Sequence, residues 1–222
     1  MILNLNKFIY KPLDRQDNPN GRQYVLPDGN KVKSVTTILS KTKDMSHLLA
    51  WRKRVGEAKA QQITTESAGL GTTLHSHLEA HILGTQRPIG NNYCRLMAQR
   101  MADTVIVNGL KDVDEVWGVE SHVHFENLWA GTVDLIGVEK GIPSIIDFKT
   151  TNKPKKKEWI DDYFLQICLY SLAHNWMFNT VINKGVILMV SRQCEFQKFV
   201  IEGPEFDYYT LEAVKRVDKF YS

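Results

Sequence analysis

Cysteine is scarce in this chain, and its three cysteines follow no ligand or disulfide pattern. Cys94, Cys168 and Cys194 are an odd total without a Cys-x-x-Cys pair among the 222 residues. A disulfide framework is therefore not expected, and this favours a reducing compartment, with the cytoplasm as the default location. Three thiols are also too few for a four-cysteine zinc or iron–sulfur site.

Long hydrophobic runs are missing as well. No apolar stretch approaches the roughly 18 residues that a membrane-spanning helix needs. The N-terminal MILNLNKFIYKPLD has neither the apolar region of a secretory signal nor the Arg- and Ser-rich character of a transit peptide. These absences predict a protein that has no membrane partner.

What is present is the composition of a globular domain. Hydrophobic residues make up 43% of the chain and charged residues 24%, and we find no internal repeat or low-complexity tract. The net charge of +3 is compatible with a polyanionic partner but does not require one. We expect one domain over residues 1–222, in which a hairpin and helices (1–110) precede a sheet core (111–222).

The hydrophobic periodicity changes near residue 110, from helical spacing to strand-like alternation. Before this point, a turn at PDGN and a cap at Ser34 indicate a small hairpin and a short helix, and longer helices are predicted over 45–62, 67–83 and 91–107. After it, strands are predicted over 116–125, 129–138, 144–150, 186–191 and 195–202, and helices over 158–176 and 206–221. This order predicts a mixed α/β (α+β) domain built round one sheet.

The segment GTVDLIGVEKGIPSIIDFKT (131–150) carries charges where a buried sheet would carry apolar side chains. A tight turn at Lys140-Gly141 would pair residues whose numbers add up to 281, which places Asp134 opposite Asp147. Lys149 lies two residues further on and points to the same face. Two carboxylates and one ammonium are therefore predicted to converge on one point of the sheet.

Two carboxylates this close, among apolar neighbours, need a cation. Lys149 supplies one positive charge, whereas a divalent ion supplies two, and carboxylate oxygens suit Mg²⁺ or Mn²⁺. The alternative is a buried Asp–Lys ion pair or a solvated sheet face, but neither explains why three polar groups share one face.

These residues resemble the PD-(D/E)xK nuclease superfamily, in its RecB-like branch. The likeness lies in G-T-V-D followed by D-F-K-T, with Val133 in place of the proline found in restriction enzymes. It implies a restriction-endonuclease-like core, in which a central mixed sheet is flanked by helices. It also implies that Asp134, Asp147 and the carbonyl of Phe148 hold the metal, and that Lys149 positions or activates water.

Two further motifs match the same branch in the expected order. Gly71-x-x-x-His75-x-x-x-Glu79 precedes the sheet, and Gln166-x-x-x-Tyr170 follows the lysine strand. The resemblance implies that His75 is a metal ligand and that Gln166 and Tyr170 contact the catalytic centre or the DNA. Glu79 either orients His75 or is a solvated helix residue.

Several neighbouring residues are weaker candidates. With a two-residue turn at Glu126-Asn127, Glu120 would face Val133, one residue out of step with Asp134, so it is either a metal ligand or a salt-bridge residue at the rim. His77 and His81 also lie four residues apart, which surface histidines often do without binding zinc. The residues predicted to contact DNA are Arg52, Lys53, Lys153, Lys155, Lys156, Lys157 and Trp159.

At finer grain, YVLPDG, SVTTILSKT and LLAWRKRVGEA resemble the mitochondrial genome maintenance exonuclease family and its bacteriophage relatives. This implies a monomeric, metal-dependent exonuclease that threads a free single-stranded DNA end, in replication, repair or recombination, together with partner proteins of those processes. The absence of a transit segment favours a phage or bacterial member. The alternatives are a structure-specific or restriction-type endonuclease and an inactive nucleic-acid-binding module. The RecB-like nucleases of CRISPR adaptation fit poorly, because they generally use four cysteines.

Overall fold

The computed structural model describes residues 1–222 and begins with a small strand system. Its first elements are β1 (Ile2–Leu3), β2 (Asp14–Asn18), β3 (Gly21–Val25), β4 (Lys31–Ser34) and α1 (Val35–Thr42). The predicted hairpin and short helix are confirmed, and Ser34 caps α1 by accepting a hydrogen bond from the Thr37 backbone N–H. β1 and β2 were not predicted, because their exposed side chains give little hydrophobic signal.

Three helices follow, and one predicted boundary between them is wrong. They are α2 (Ser46–Val55), α3 (Glu57–Leu83) and α4 (Tyr93–Asn108). The helices predicted over 45–62 and 67–83 are instead divided at Gly56, whose φ of +84° breaks the helix there. α3 then runs unbroken through 63–66, and its apolar stripe packs with α4 against the sheet. The buried positions of α3 on either side of this stretch are Ala60 and Leu70.

The remaining elements build most of the sheet. They are a 3₁₀ turn (Leu110–Asp112), β5 (Val113–Phe125), β6 (Trp129–Glu139), β7 (Ile142–Thr151), a second 3₁₀ turn (Lys157–Trp159), α5 (Asp161–Phe178), β8 (Lys184–Ser191), β9 (Phe196–Glu202) and α6 (Pro204–Tyr221). The nine strands form one mixed sheet, with α3 and α4 on one face and α1, α5 and α6 on the other. The predicted fold class, a central mixed sheet flanked by helices, is confirmed. β2–β4 belong to this sheet, so segment 1–110 adds strands to the core.

The strand registers explain which side chains meet. β6 and β7 pair as predicted, with Leu135 opposite Ile146 and Glu139 opposite Ile142. The predicted register between β5 and β6 is wrong by one residue, because the loop has three residues, 126–128, where two were expected. Val119 pairs with Leu135 and Ser121 pairs with Val133, so Glu120 lies level with Asp134 and not with Val133.

None of the helices combines the length and the apolar character that crossing a bilayer requires.

Candidate active site

The sheet divides at Asp134, and this division creates the cleft of the site. β5 pairs with one edge of β6 along its length. The other edge of β6 pairs with β4 at Trp129 and Ala130, and with β7 from Leu135 onwards. β4 and β7 therefore share one edge of β6 and separate from each other near Asp134. We call this point the sheet fork. A cleft of about 530 Å³ opens there, lined almost entirely by polar side chains.

The two predicted carboxylates lie at the sheet fork and are almost fully buried. Asp134 is 8% exposed and Asp147 1%. The Phe148 backbone N–H donates to Asp134 Oδ2 at 2.7 Å, so a side chain replaces the missing strand partner. Gln166 donates from Nε2 to Asp147 Oδ1 at 3.1 Å and to the Tyr170 hydroxyl at 3.2 Å. The Gln-x-x-x-Tyr helix thus holds one carboxylate from behind.

Lys149 lies beside Asp147 on the same face, as its spacing predicts. Its Nζ forms an ion pair with Asp147 Oδ2 at 2.5 Å, and it lies 4.9 Å from the centre of the Tyr163 ring. This ammonium is one positive charge beside two buried carboxylates, Asp134 and Asp147. A divalent ion would supply the further positive charge that two carboxylates need.

His75 reaches the fork from α3, on the opposite face of the sheet from α5. Its Nε2–H donates to the Phe148 carbonyl at 3.0 Å. Its Nδ1 lies 3.4 Å from both Asp134 Oδ1 and Glu120 Oε1. His75, Glu120 and Asp134 offer ligand atoms that all lie within 4.8 Å of one another. This mixed nitrogen and oxygen donor set fits a divalent cation such as Mn²⁺ or Mg²⁺.

The structure groups the predicted ligands slightly differently from the sequence. Glu120, one of the weaker candidates, joins His75 and Asp134 directly and lines the cleft, with a positive φ of 46°. Asp147 adjoins this trio but is occupied by Lys149 and Gln166. The metal and catalytic roles of these residues stay predictions.

The charges of the site shift its pKa values strongly. Burial lowers the pKa of His75, but the negative charge of Asp134 and the contacts with Asp134 and Glu120 together raise that pKa to about 10. Burial raises the pKa of Asp147 to about 6, and repulsion from Asp134 adds to this against the attraction of Lys149. The pKa of Asp134 is lowered despite burial, because His75 stabilises its charge. A protonated imidazole thus supplies positive charge that a metal ion would also supply.

The other acidic and histidine candidates of α3 differ in their position relative to the cleft. Glu79 lines the cleft, and burial together with the charge of Glu120 raises its pKa, but it makes no hydrogen bond to His75. His77 is buried away from the cleft and accepts a hydrogen bond from Arg87 Nε at 3.3 Å. His81 is exposed. Neither His77 nor His81 joins the candidate metal cluster.

Gly131 connects two of the motifs. A Cβ atom at this position would lie 2.4 Å from Cε1 of Tyr170, so only glycine leaves room for that ring. Tyr170 therefore packs directly on β6, three residues before Asp134. The glycine of G-T-V-D and the tyrosine of Q-x-x-x-Y are parts of one contact.

The residues predicted to contact DNA are dispersed. Lys155 lines a small polar cleft with Tyr163, which the Lys149 ammonium approaches. Lys157 pairs with Glu205 at 2.6 Å, and Arg52 pairs with Glu57. Lys153 and Lys156 are exposed on the same loop as Lys155, and Lys53 is exposed on α2.

Trp159 lies away from the catalytic cleft, and its predicted helix is wrong. It belongs to the second 3₁₀ turn, because α5 begins at Asp161 and not at residue 158. It lines a different cleft, in which carboxylates outnumber cations; the carboxylates are those of Asp44, Glu158, Asp161, Asp162 and Glu212. Such a wall repels a phosphate backbone, so the surroundings of Trp159 oppose its predicted stacking on DNA.

Sequence reasoning missed the arginines at the catalytic cleft. Arg15 and Arg22 line it from β2 and β3. The turn signal NPNG between them (18–21) could have indicated a hairpin that presents both.

Comparison with known proteins adds to this geometry. No protein-family model matches the chain. It is 29% identical over 199 residues to mitochondrial genome maintenance exonuclease 1 of Homo sapiens, covering 82% of this chain and 56% of that protein. It is likewise 29% identical over 211 residues to the Xenopus tropicalis protein of that name, covering 85% and 58%. The chain is a homologue of mitochondrial genome maintenance exonuclease 1. It spans little more than half the length of these relatives.

Two solved structures are more distant. A candidate exonuclease from Eubacterium rectale has a TM-score of 0.48 and 14% identity, over 69% of this chain and 64% of that one. SSO0001 has a TM-score of 0.43 and 14% identity, over 85% and 75%.

The raised pKa of His75 generates a prediction about metal binding. Between pH 6.5 and about 10 the folded protein holds a proton on His75 that the unfolded chain releases. A histidine must lose this proton before it can bind a metal ion, so binding of Mn²⁺ at pH 8 should release about one proton and tighten as the pH rises. Calorimetric titration in two buffers of different ionisation enthalpy measures this proton.

His81 provides a matched control on the same helix. His75→Gln should abolish the proton release and weaken binding, whereas His81→Gln should leave both unchanged. Mn²⁺ binding by the wild-type protein without any buffer dependence would contradict the placement of His75 among the ligands.

Proposed function

We propose that this chain is a metal-dependent deoxyribonuclease that acts as an exonuclease and prefers single-stranded DNA with a free end. The observation that carries the proposal is the convergence of His75, Asp134, Asp147 and Lys149 at the sheet fork. The exonuclease names of its homologues support the same reaction class. Because the chain covers only part of those relatives, their activity is proposed for it and not transferred.

The residues of the cleft have separate tasks in the proposed hydrolysis. When bound, Mg²⁺ or Mn²⁺ would polarise the phosphate and make a bound water a better nucleophile. His75, Asp134 and Glu120 would hold the ion, with Asp147 and the Phe148 carbonyl as further oxygen donors. These residues meet because α3, β5, β6 and β7 all reach the fork.

Lys149 would stabilise the negative charge that develops on the phosphate, as a cation held beside Asp147. Its side chain is 18% exposed, so the ammonium is partly withdrawn from solvent. Gln166 keeps the carboxylate of Asp147 directed into the site, and Tyr170 supports Gln166 in turn.

The preference for a single strand with a free end rests on α2. None of its residues is buried, and its last turn carries Arg52, Lys53 and Arg54. A basic helix that stands clear of the core can line the path of a strand, together with the lysine loop of Lys153, Lys155, Lys156 and Lys157.

The finer assignments belong to the same proposal. We place the chain in the RecB-like branch of the PD-(D/E)xK superfamily, near the phage relatives of its homologues. We propose that it acts as a monomer in DNA replication, repair or recombination. We propose a cytoplasmic location on the basis of its cysteine content alone. The homologous proteins are named as mitochondrial.

The requirement for a free end can be tested by topology. Linear single-stranded DNA with Mg²⁺ should be degraded to short products, and closed circular single strands of the same sequence should stay intact. Gel analysis of both substrates measures this. Cutting of the circles would favour an endonuclease, and metal-dependent binding with no product would favour an inactive module.

Replacing Lys149 separates chemistry from binding. Lys149→Met should lower the single-turnover rate by roughly 10²–10³-fold, the usual effect of losing one charge-stabilising group. Oligonucleotide affinity should change less than about threefold, because the charge that Lys149 stabilises develops mainly in the transition state. Lys140→Met, at the exposed hairpin turn, is the matched control and should keep the wild-type rate. A loss of affinity without a loss of rate would show that Lys149 has a different role.

A further inference from the structure

The β2–β3 hairpin forms a second wall of the catalytic cleft. Because β4 leaves the sheet fork on one side and β7 on the other, the hairpin faces the metal candidates across the gap. One wall carries acidic groups, including Glu79, Glu120 and Asp134. The hairpin contributes Arg15 and Arg22 to the lining of the same cleft, and hydroxyl groups of Thr36, Thr132 and Tyr170 also line it.

The two arginines are held in place by one carboxylate. Asp17 accepts from Arg22 Nε at 2.9 Å through Oδ1, and from Arg15 Nε at 2.9 Å through Oδ2. Two cations on one carboxylate leave an excess positive charge. The terminal amino groups of Arg22 make no hydrogen bond within the protein, so their N–H donors are available to a ligand.

The hairpin itself is fixed to the core. Gly21, at its turn, has a φ of +100° and packs so closely on Thr37 that a Cβ atom would lie 2.4 Å from that side chain. The Thr37 hydroxyl donates to the Arg22 backbone carbonyl at 3.1 Å. The position of Arg22 is thus coupled to the capped first turn of α1. A ligand would meet the arginines already oriented, which lowers the entropic cost of binding.

We infer that Arg15 and Arg22 form a phosphate-binding subsite that holds the DNA phosphate next to the one being cut. This inference rests on the proposed function. The metal candidates and Lys149 occupy one wall and would take the reacting phosphate. A planar guanidinium matches the paired oxygens of a phosphate, which makes arginine the suitable residue for the other wall. The subsite would position the strand so that only one phosphodiester reaches the metal.

Binding measurements test the subsite independently of cutting. We expect Arg22→Met to weaken a fluorescently labelled single-stranded oligonucleotide about tenfold in anisotropy titrations with Ca²⁺, and Arg15→Met/Arg22→Met to weaken it further. The slope of log Kd against log salt should fall by about 0.7 for each arginine lost. Arg22→Lys should give an intermediate loss, because it keeps the charge without the planar fork.

Arg95 supplies the matched control for net charge, because it lies on α4 and outside the cleft. Arg95→Met should leave affinity and salt slope within error of the wild type. Equal behaviour of Arg22→Met and Arg95→Met would overturn the inference.

Substrates with one neutral methylphosphonate identify the phosphate. When the methylphosphonate replaces one particular internal phosphate, binding by the wild type should weaken. Binding by Arg15→Met/Arg22→Met should not weaken further. If only removal of a terminal phosphate has this effect, the ligand is a strand end and the inferred position is wrong. Equal losses for both proteins at every position would also overturn it. A wild type that binds through these arginines but cuts no DNA would instead contradict the proposed function.

Discussion

The hydrogen bond from the Phe148 N–H to Asp134 is the contact on which the site depends. At this point β6 exchanges one edge partner for another, and a backbone donor would otherwise lose its strand partner. The carboxylate satisfies that donor and is held at the mouth of the fork. From there α3, α5 and the β2–β3 hairpin each contribute one group of side chains to a single cleft.

The cleft combines groups that are costly to bury together. Burial raises the pKa of Asp147, and repulsion from Asp134 raises it further. His75 and Lys149 offset this charge through their contacts with Asp134 and Asp147. A fold selected for stability alone would place apolar side chains here. The arrangement is therefore better explained by a cation and an anionic substrate than by structure.

The chemistry of the β6–β7 hairpin could be predicted from the sequence because its register is set by a short local turn. A two-residue turn fixes the pairing of β6 with β7, and alternation then places Asp147 and Lys149 on one face. Glu120 was misplaced because a loop one residue longer shifts the whole register of β5. Gly56 divides the helices, although the apolar spacing continues across it, and α3 runs through a stretch of weak helix formers at 63–66.

The sheet fork and its arginines could not be predicted in this way. The pairing of β4 with β6 joins residues nearly a hundred positions apart and leaves no periodic pattern in either segment. Arg15 lies on a short, mostly exposed strand and Arg22 on a short, partly buried one, where an arginine has many ordinary explanations. Only the folded chain shows that they line the same cleft as His75.

The most direct test of the metal centre is anomalous diffraction from crystals soaked in Mn²⁺. We expect one strong anomalous peak at the sheet fork, within bonding distance of His75 and Asp134 and of a further oxygen from Glu120 or Asp147. A peak elsewhere on the molecule, with these side chains still paired to one another and to Lys149, would contradict the central claim.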